Sequence, residues 1–508
     1  MKNRKKFYIN GFMLTVVALS LKTVALFWGA YVTRVIGAEG VGLNALTMTV
    51  YSFAVTLATS GIGLTVTRLV AQEIGKSEGG EARVLRGAFF YALLFGSFSS
   101  IMLFLLSGPI GRGVLGNREC VTALRILSLS LLPAAATSVI GGYFIGVRRV
   151  PANAAVQVLG QTFRIIITVY LISGVDKGNP GAAVVSLSLG STLTEFICFC
   201  FCFFLFCIDR YRERHSKSAQ GRELRGVFGM ALPLAASAYI RSALLSVEHN
   251  LIPKRLRDRG ENQAEAMASY GRLHGMALPV ILYPLSPLSS FAGLLVPEFA
   301  EEKERGGKDR MTGIATRAIG ATLSYAVMIT ALIFFFSEEL GYVIYDSYEA
   351  GFFIATLAPV IPIMYLDHVC DFILKGIGEH VYSMWVNILD SFLSVILVYL
   401  LIPVFGISGY ALVIIGMEVF NFTLSVMRLK KRIPYKISVF SMILIPIASA
   451  FVSVALTKLS FFTSPSSEGA VFLIMKIVFM VCAYLAACIA LRYFYLSFAG
   501  KTKREKTA

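Results

Sequence analysis

Long apolar segments alternate with short polar ones along almost the entire chain. Each is bounded by charged residues, glycine or proline, and is long enough for the roughly 20 residues that a helix needs to cross a bilayer. Because lipid offers the backbone no hydrogen-bonding partner, such segments are expected to be helical. The pattern predicts an all-α integral membrane protein with about 14 transmembrane helices. The predicted spans are 10–33, 43–66, 87–107, 121–146, 153–173, 181–208, 227–247, 268–297, 312–337, 351–374, 381–403, 407–427, 437–456 and 471–493.

The spans form two groups of six followed by a pair. The second span contains Ser60-Gly61-Ile62-Gly63-Leu64, and the eighth ends in a comparable segment, Gly293-Leu294-Leu295-Val296-Pro297. Each segment belongs to the second helix of its group, so the halves are predicted to be repeats related by an axis along the membrane normal. The predicted organisation is an N-terminal six-helix lobe (1–208), a basic cytoplasmic linker (209–226), a C-terminal six-helix lobe (227–432), two accessory helices (433–495) and a basic cytoplasmic tail (496–508).

Composition excludes a soluble globule. Of the 508 residues, 56% are hydrophobic and only 15% are charged, and the mean hydropathy is +0.71. These values are typical of a chain whose solvent is lipid. The short loops leave no room for a sizeable soluble domain.

The net charge of +17 reflects topology rather than nucleic-acid binding. Lys and Arg are dispersed over short loops, and such cations stay on the cytoplasmic side of a membrane. The segments 210–225 and 428–436 are the strongest anchors, whereas 337–350 carries acids and no base. We expect both termini to be cytoplasmic in a multi-pass protein of the cytoplasmic membrane. One outer segment, 254–259, departs from the rule.

The cysteines do not indicate a metal site. Four of the eight lie in one predicted span among phenylalanines, namely Cys198, Cys200, Cys202 and Cys207, without partner ligands at zinc-site spacing. We interpret them as small apolar packing residues. No metal and no cofactor are expected.

Ionisable residues inside the spans are the best candidates for a functional site. A charge at the bilayer centre costs about 2.5–3.5 kcal/mol on insertion scales, so those that persist usually face a cavity or a partner. The cationic candidates for substrate binding are Lys22, Arg241, Arg272 and Arg164. The acidic candidates, for ion coupling or for a structural role, are Glu248, Asp367, Asp371 and Glu418. Arg125, Glu195 and Asp390 are further charged residues within spans, and Lys375 follows Asp371 by one further helical turn.

Cations in a membrane cavity suit a lipid carrier with a pyrophosphate and a sugar head. Arg and Lys form charge-assisted hydrogen bonds to phosphate oxygens, while the lipid tail can remain in the bilayer. A groove between two bundles that rock against each other would move the head group across by alternating access. No chemical change of the substrate is needed, so we expect a transporter and not an enzyme.

Three segments resemble a known family. They are Gly37 to Leu43, Arg241 to Pro253, and Tyr270-Gly271-Arg272-Leu273 running on to Leu295-Val296-Pro297-Glu298. They resemble the polysaccharide-transporter branch of the multidrug, oligosaccharidyl-lipid and polysaccharide (MOP) exporter superfamily. Within that branch the similarity is to the stage V sporulation protein B group, and more distantly to MurJ-type lipid II flippases. It spans essentially the whole chain.

The resemblance implies a MATE-like fold of two six-helix lobes plus two C-terminal helices. It further implies a flippase for undecaprenyl-pyrophosphate-linked sugars, such as a peptidoglycan precursor made for the spore cortex. Lys22 and Arg272 match basic cavity positions of the MurJ-type proteins. The chain departs from them at Trp28 and Gly29, where those flippases have an Arg-Asp pair.

Other functions remain open at this stage. A drug or cation antiporter of the same superfamily would use intramembrane acids such as Asp367 and Asp371 as ion relays. A membrane-embedded glycosyl- or acyltransferase would need a general base and a donor site, for which the loops lack a convincing constellation. Membrane lipids are expected partners, nucleic acid is not, and a partner cell-wall polymerase is left open.

Overall fold

The computed structural model is almost entirely helical. It describes residues 2–76, 80–147, 149–175, 179–212, 224–435, 438–460 and 470–505, and no strand occurs in these ranges. The helices are α1 (Lys2–Thr59), α2 (Ile62–Lys76), α3 (Glu81–Pro109), α4 (Arg118–Ser128), α5 (Leu131–Gly146), α6 (Val150–Ser173), α7 (Pro180–Arg212), α8 (Leu224–Asp258), α9 (Gln263–Tyr270), α10 (Leu278–Leu282), α11 (Leu285–Glu304), α12 (Lys308–Phe335), α13 (Ser337–Tyr345), α14 (Tyr348–Leu357), α15 (Ile361–Gly376), α16 (His380–Phe405), α17 (Ile407–Arg432), α18 (Ile445–Ser460) and α19 (Ala470–Glu505).

The all-helical membrane architecture is confirmed, but the count of fourteen spans is not. Eleven helical segments of the described chain are long and apolar enough to cross a membrane, or up to 13 if each of two bent pairs is one span. The first of them, Lys22–Ile74, has 53 residues, more than twice the roughly 20 that one crossing needs. The count therefore depends on where a nearly continuous helix is divided.

Single residues interrupt helices where the sequence predicts loops. The glycine-rich segment 37–42 lies between the predicted spans 10–33 and 43–66, yet α1 continues through it with only Gly37 outside helical geometry (φ 71°, ψ 177°). Glycine adopts such positive φ values without the steric cost that a Cβ imposes. The break between these two predicted spans is therefore one residue long.

A polar turn joins α8 to α9. Gly260 has a φ of 112°, and Asn262 then caps α9 by accepting a hydrogen bond from the backbone N–H of Glu265 at 2.9 Å. The Glu265 carboxylate accepts one in return from the N–H of Asn262 at 3.1 Å. This reciprocal capping box satisfies two N–H groups that the start of a helix leaves without partners.

The chain divides into two compact units. The first comprises Met1–Gly271 and Ser391–Ile407, and the second comprises Arg272–Asp390 and Ser408–Ala508. The lobe boundaries expected from the sequence remain a prediction, and the linker at 209–226 and the tail at 496–508 lie partly outside the described residues.

An ion-pair cluster connects helix ends in the second unit. Glu379, between α15 and α16, accepts hydrogen bonds from Arg428 at 2.7 Å and pairs with the Nε atom of Arg432 at 2.6 Å. The hydrogen bond from Arg428 is the main reason why the pKa of Glu379 is lowered. Nearby, the Lys303 ammonium donates to the carbonyl of Ile377 at 2.7 Å. These contacts hold α11, the α15–α16 turn and the end of α17 together.

Candidate functional site

Lys22 and Arg241 are cations within long apolar helices of the first unit. Both are exposed, and neither has an acidic partner among the residues that the structure describes. Since an unpaired charge facing hydrocarbon is costly, such residues usually face a water-filled cavity or an interface. These two side chains are candidates for binding an anion.

Helix α8 carries charge on one face and an apolar cavity on another. Arg241 and Glu248 are seven residues apart, about 20° short of two full turns, so they share a face as the sequence suggests. Glu248 is only 6% exposed and accepts a hydrogen bond from the Ser394 hydroxyl at 2.6 Å. Glu248 therefore links α8 to α16.

The cavity on the opposite face of α8 is unsuited to a charged head group. It has a volume of about 300 Å³, and its lining is apolar except for Ser246 and Asn250. The Asn250 side-chain amide donates to the carbonyl of Ser246 at 2.6 Å. The cavity is lined by Val50, Phe53, Ala54, Met102, Leu103, Leu106, Ile110, Ala243, Ser246, Val247 and Asn250. Walls of this composition suit hydrocarbon better than a charged group.

Arg164 faces Glu195 across two neighbouring helices of the first unit. The guanidinium of Arg164, on α6, lies 3.9 Å from the Glu195 carboxylate on α7. The Nε atom of Arg164 is buried without a hydrogen-bond partner in the described structure. Arg125 has other contacts: its Nε–H donates a hydrogen bond to the Ser107 hydroxyl at 3.3 Å, and its guanidinium lies over the Phe104 ring. Arg164 is thus an incompletely satisfied cation.

Arg272 is paired within the second unit. Its guanidinium lies 2.6 Å from the Glu349 carboxylate, and the Glu349 side chain is 64% exposed. Exposed pairs of this kind contribute little to stability, about 0–1 kcal/mol. An anionic ligand of Arg272 would therefore have only a weak intramolecular competitor.

The four acidic candidates have different surroundings. In the second unit, Asp371 pairs with Lys375 one helical turn away at 2.6 Å, so its charge is neutralised within α15. Asp367 is hydrogen-bonded by Ser425, and its Oδ1 atom is buried with no partner in the described chain. Glu418 lies within electrostatic range of Asp367 and Asp390. The structure therefore separates Asp371, which is paired with a cation one helical turn away, from Asp367 and Glu418, for which no ion pair is found among the described residues.

Several partners of these charges were not identified from the sequence. Ser394 and Ser425 each hydrogen-bond a buried carboxylate, and Tyr51 shares a 2.7 Å hydrogen bond with Ser130 near Arg164. Serine and tyrosine are ordinary residues in membrane helices, so nothing in the linear pattern distinguishes these positions. Only the assembled helices reveal them.

Metal ligands are not grouped in the described part of the chain. No set of three or more His, Cys, Asp or Glu side chains there is placed to hold a metal ion. The eight cysteines are all free, and Cys198 and Cys202 are buried.

Comparisons with known proteins identify the family of the chain. The sequence model of the family described as "Polysaccharide biosynthesis protein" matches residues 8–301. Stage V sporulation protein B of Bacillus subtilis (strain 168) is 23% identical over 449 residues, which is 86% of each chain.

Two solved transporter structures share the architecture. A lipid II flippase MurJ in an inward closed conformation has a TM-score of 0.73 at 12% identity, over 96% of this chain and 99% of that one. An inward-facing multidrug resistance MATE family transporter of the MOP superfamily has a TM-score of 0.65 at 16% identity, over 83% and 98%. The MATE-like fold expected from the sequence is confirmed.

Proposed function

Because the chain belongs to the polysaccharide biosynthesis protein family and has the fold of MOP-superfamily transporters, we propose that it moves an undecaprenyl-linked oligosaccharide or peptidoglycan precursor across the cytoplasmic membrane. The similarity to stage V sporulation protein B over 86% of the chain and the shared fold with a lipid II flippase support a lipid-linked sugar as cargo. Transport, and not catalysis, is the activity. Alternating access of the two lobes is the proposed mechanism.

The observation that carries this proposal is the pair of unpartnered cations, Lys22 and Arg241. Each lies within a long apolar helix, is exposed, and lacks an acidic partner in the described residues. A pyrophosphate offers such cations charge-assisted hydrogen bonds that lipid cannot. Arg164 and Arg272 complete the proposed cationic set.

The acids are assigned different roles. Glu248, buried and bonded to Ser394, and Asp371, paired with Lys375, are structural in this proposal. Asp367 and Glu418 are the ion-coupling candidates, because the buried Asp367 Oδ1 atom has no partner among the described groups. The same observation favours the second candidate function, a cation-coupled antiporter.

Membrane lipids and the lipid-linked sugar are the proposed partners, with a cell-wall polymerase as a further one. Both termini are proposed to be cytoplasmic, because most Lys and Arg then lie on the side that retains positive charge.

The test is translocation of fluorescent undecaprenyl-pyrophosphate-linked sugar in proteoliposomes. We expect Lys22→Ala and Arg241→Ala each to lower the rate about tenfold or more, since each removes a charge-assisted contact worth about 1.5–3 kcal/mol. Lys22→Arg and Arg241→Lys, which keep the charge, should retain most of the activity. If the folded parent moves no lipid-linked sugar but exports a cationic drug, the antiporter replaces the flippase.

A further inference from the structure

Arg164 and Glu195 lie near the middle of their helical spans. The spans are Ala154–Ser173 and Pro180–Asp209, so both charges are at mid-membrane depth. The Arg164 side chain is 42% exposed and that of Glu195 is 28% exposed. Charged groups at this depth that are not enclosed by protein usually border a water-filled cavity. The pair is therefore accessible to a ligand.

The contact between the two groups is loose. Their closest N···O distance is 3.9 Å, whereas charge-assisted hydrogen bonds are about 2.7–2.9 Å long. A guanidinium has five N–H donors, yet the Nε donor of Arg164 is buried and has no partner in the described residues. Glu195 compensates the charge of Arg164 without satisfying its hydrogen-bonding capacity.

A tyrosine hydroxyl that is hydrogen-bonded to a serine lies near the pair. Tyr51 and Ser130 share a 2.7 Å hydrogen bond, and the Tyr51 hydroxyl lies within electrostatic range of both Glu195 and Arg164. Ser130 lies at the break between α4 and α5. Interrupted helices inside a membrane are typical of transporter binding sites, because irregular backbone is tolerated there only where it is buried in protein or lines a cavity. The surroundings of Arg164 therefore suit a polar ligand.

We propose that Glu195 is an internal anion that occupies Arg164 until a phosphate group of the lipid-linked substrate takes its place. A phosphate can form two short parallel hydrogen bonds with a guanidinium, a geometry that the 3.9 Å contact lacks. Glu195 also keeps Arg164 from remaining an uncompensated charge in the membrane when no substrate is bound. Glu195 is thus a specificity-determining residue, since only ligands whose anion outcompetes a carboxylate engage Arg164.

This inference rests on the proposed function for the nature of the ligand. It is tested by the binding of polyprenyl pyrophosphate to the purified full-length chain in detergent, separately from translocation. We expect Glu195→Gln to tighten binding about tenfold, equivalent to about 1.4 kcal/mol, because the competing anion is removed. Arg164→Gln should weaken binding, and the double variant should behave like Arg164→Gln alone.

The double variant separates competition from a purely structural role. If Glu195→Gln tightened binding equally in the Arg164→Gln background, or did not tighten it in the parent, the inference would be wrong. Glu338→Gln, which removes an exposed acid on α13, is the matched control and should leave binding unchanged. Should Glu195→Gln fail to fold, Glu195→Asp, with its shorter reach, should give a smaller gain in the same direction.

The translocation assay distinguishes this inference from the proposed function. A parent that binds polyprenyl pyrophosphate with the expected coupling but flips no lipid-linked sugar would contradict the proposed function and leave the Arg164–Glu195 exchange intact. A parent that flips the sugar without that coupling would contradict only the exchange.

Discussion

At the residue scale, the pairing of each charge decides what it can do. Arg272 and Glu349, 2.6 Å apart, and Asp371 and Lys375, also 2.6 Å apart, each form a complete ion pair within one unit. A charge that is already paired must give up its partner before it binds a ligand. Arg241 has no acidic partner among the described residues and carries no such cost, so it is a stronger candidate for direct substrate contact.

The difference between Asp367 and Asp371 is testable. We expect Asp367→Asn to abolish any dependence of transport on a Na⁺ or proton gradient, because the buried Oδ1 atom of Asp367 has no hydrogen-bond partner within the described ranges. Asp371→Asn should instead lower stability by about 1 kcal/mol or more, since it leaves Lys375 unpaired in the span. The measurements are transport with and without each gradient, and thermal unfolding.

A double replacement provides the control for Asp371. If its role is structural, Asp371→Asn combined with Lys375→Gln should be less destabilising than Asp371→Asn alone. If Asp371→Asn instead removed the gradient dependence and left stability normal, Asp371 would be the ion-coupling residue and the role proposed for Asp367 would be wrong.

At the element scale, glycines permit close helix contacts in the first unit. A Cβ atom on Gly42 would overlap the backbone carbonyl of Met267, and one on Gly271 would overlap that of Ala38. The backbones of α1 and the α9 region therefore approach each other directly, as small residues allow in membrane helices. By contrast, a Cβ atom on Gly29, also in α1, would have no neighbour within 4 Å.

This contrast gives a matched pair of substitutions in one helix. We expect Gly42→Ala to destabilise the protein by about 1–3 kcal/mol, the usual cost of overpacking. Gly29→Ala should be neutral or stabilising by up to about 1 kcal/mol, because alanine favours helix and meets nothing at this site. Thermal unfolding in detergent checks both, and equal unfolding midpoints would show that the α1–α9 contact is not tight.

At the scale of the whole molecule, the distribution of Lys and Arg indicates how the chain sits in the membrane. The one basic segment on the expected outer side, 254–259, is partly neutralised, since Arg255 pairs with Asp258 at 2.9 Å. Its guanidinium also packs over the Tyr399 ring at 3.4 Å. Because one of its cations is paired, this segment favours the cytoplasmic side less strongly than its number of Lys and Arg residues suggests.

The orientation is checked by labelling single cysteines in a cysteine-free background. Lys308→Cys, at the start of α12, should react only with a membrane-permeant maleimide in intact cells, because that loop is expected to be cytoplasmic. Glu338→Cys, at the start of α13, should react with an impermeant reagent. The reverse pattern would place both termini outside.

The sequence by itself determined the class of the protein and most of its helices. Hydrophobic segments of membrane-spanning length appear directly in the linear pattern, because lipid requires each segment to satisfy its own backbone hydrogen bonds. The predicted span 153–173, for example, corresponds to α6, Val150–Ser173. The cost of burying charge likewise identified Lys22, Arg164 and Arg241 as exceptional residues.

Only the tertiary structure decided which charges are paired and where helices break. Arg164 pairs with Glu195, 31 positions later in the chain, and Glu248 accepts a hydrogen bond from Ser394, 146 positions later. Hydrophobic periodicity carries no information about such distant partners. The predicted span 121–146 is divided between α4 and α5. The sequence did not predict this break, because hydropathy does not record a local change of backbone geometry. Pairing and breaks arise from packing between helices, which no single segment of sequence contains.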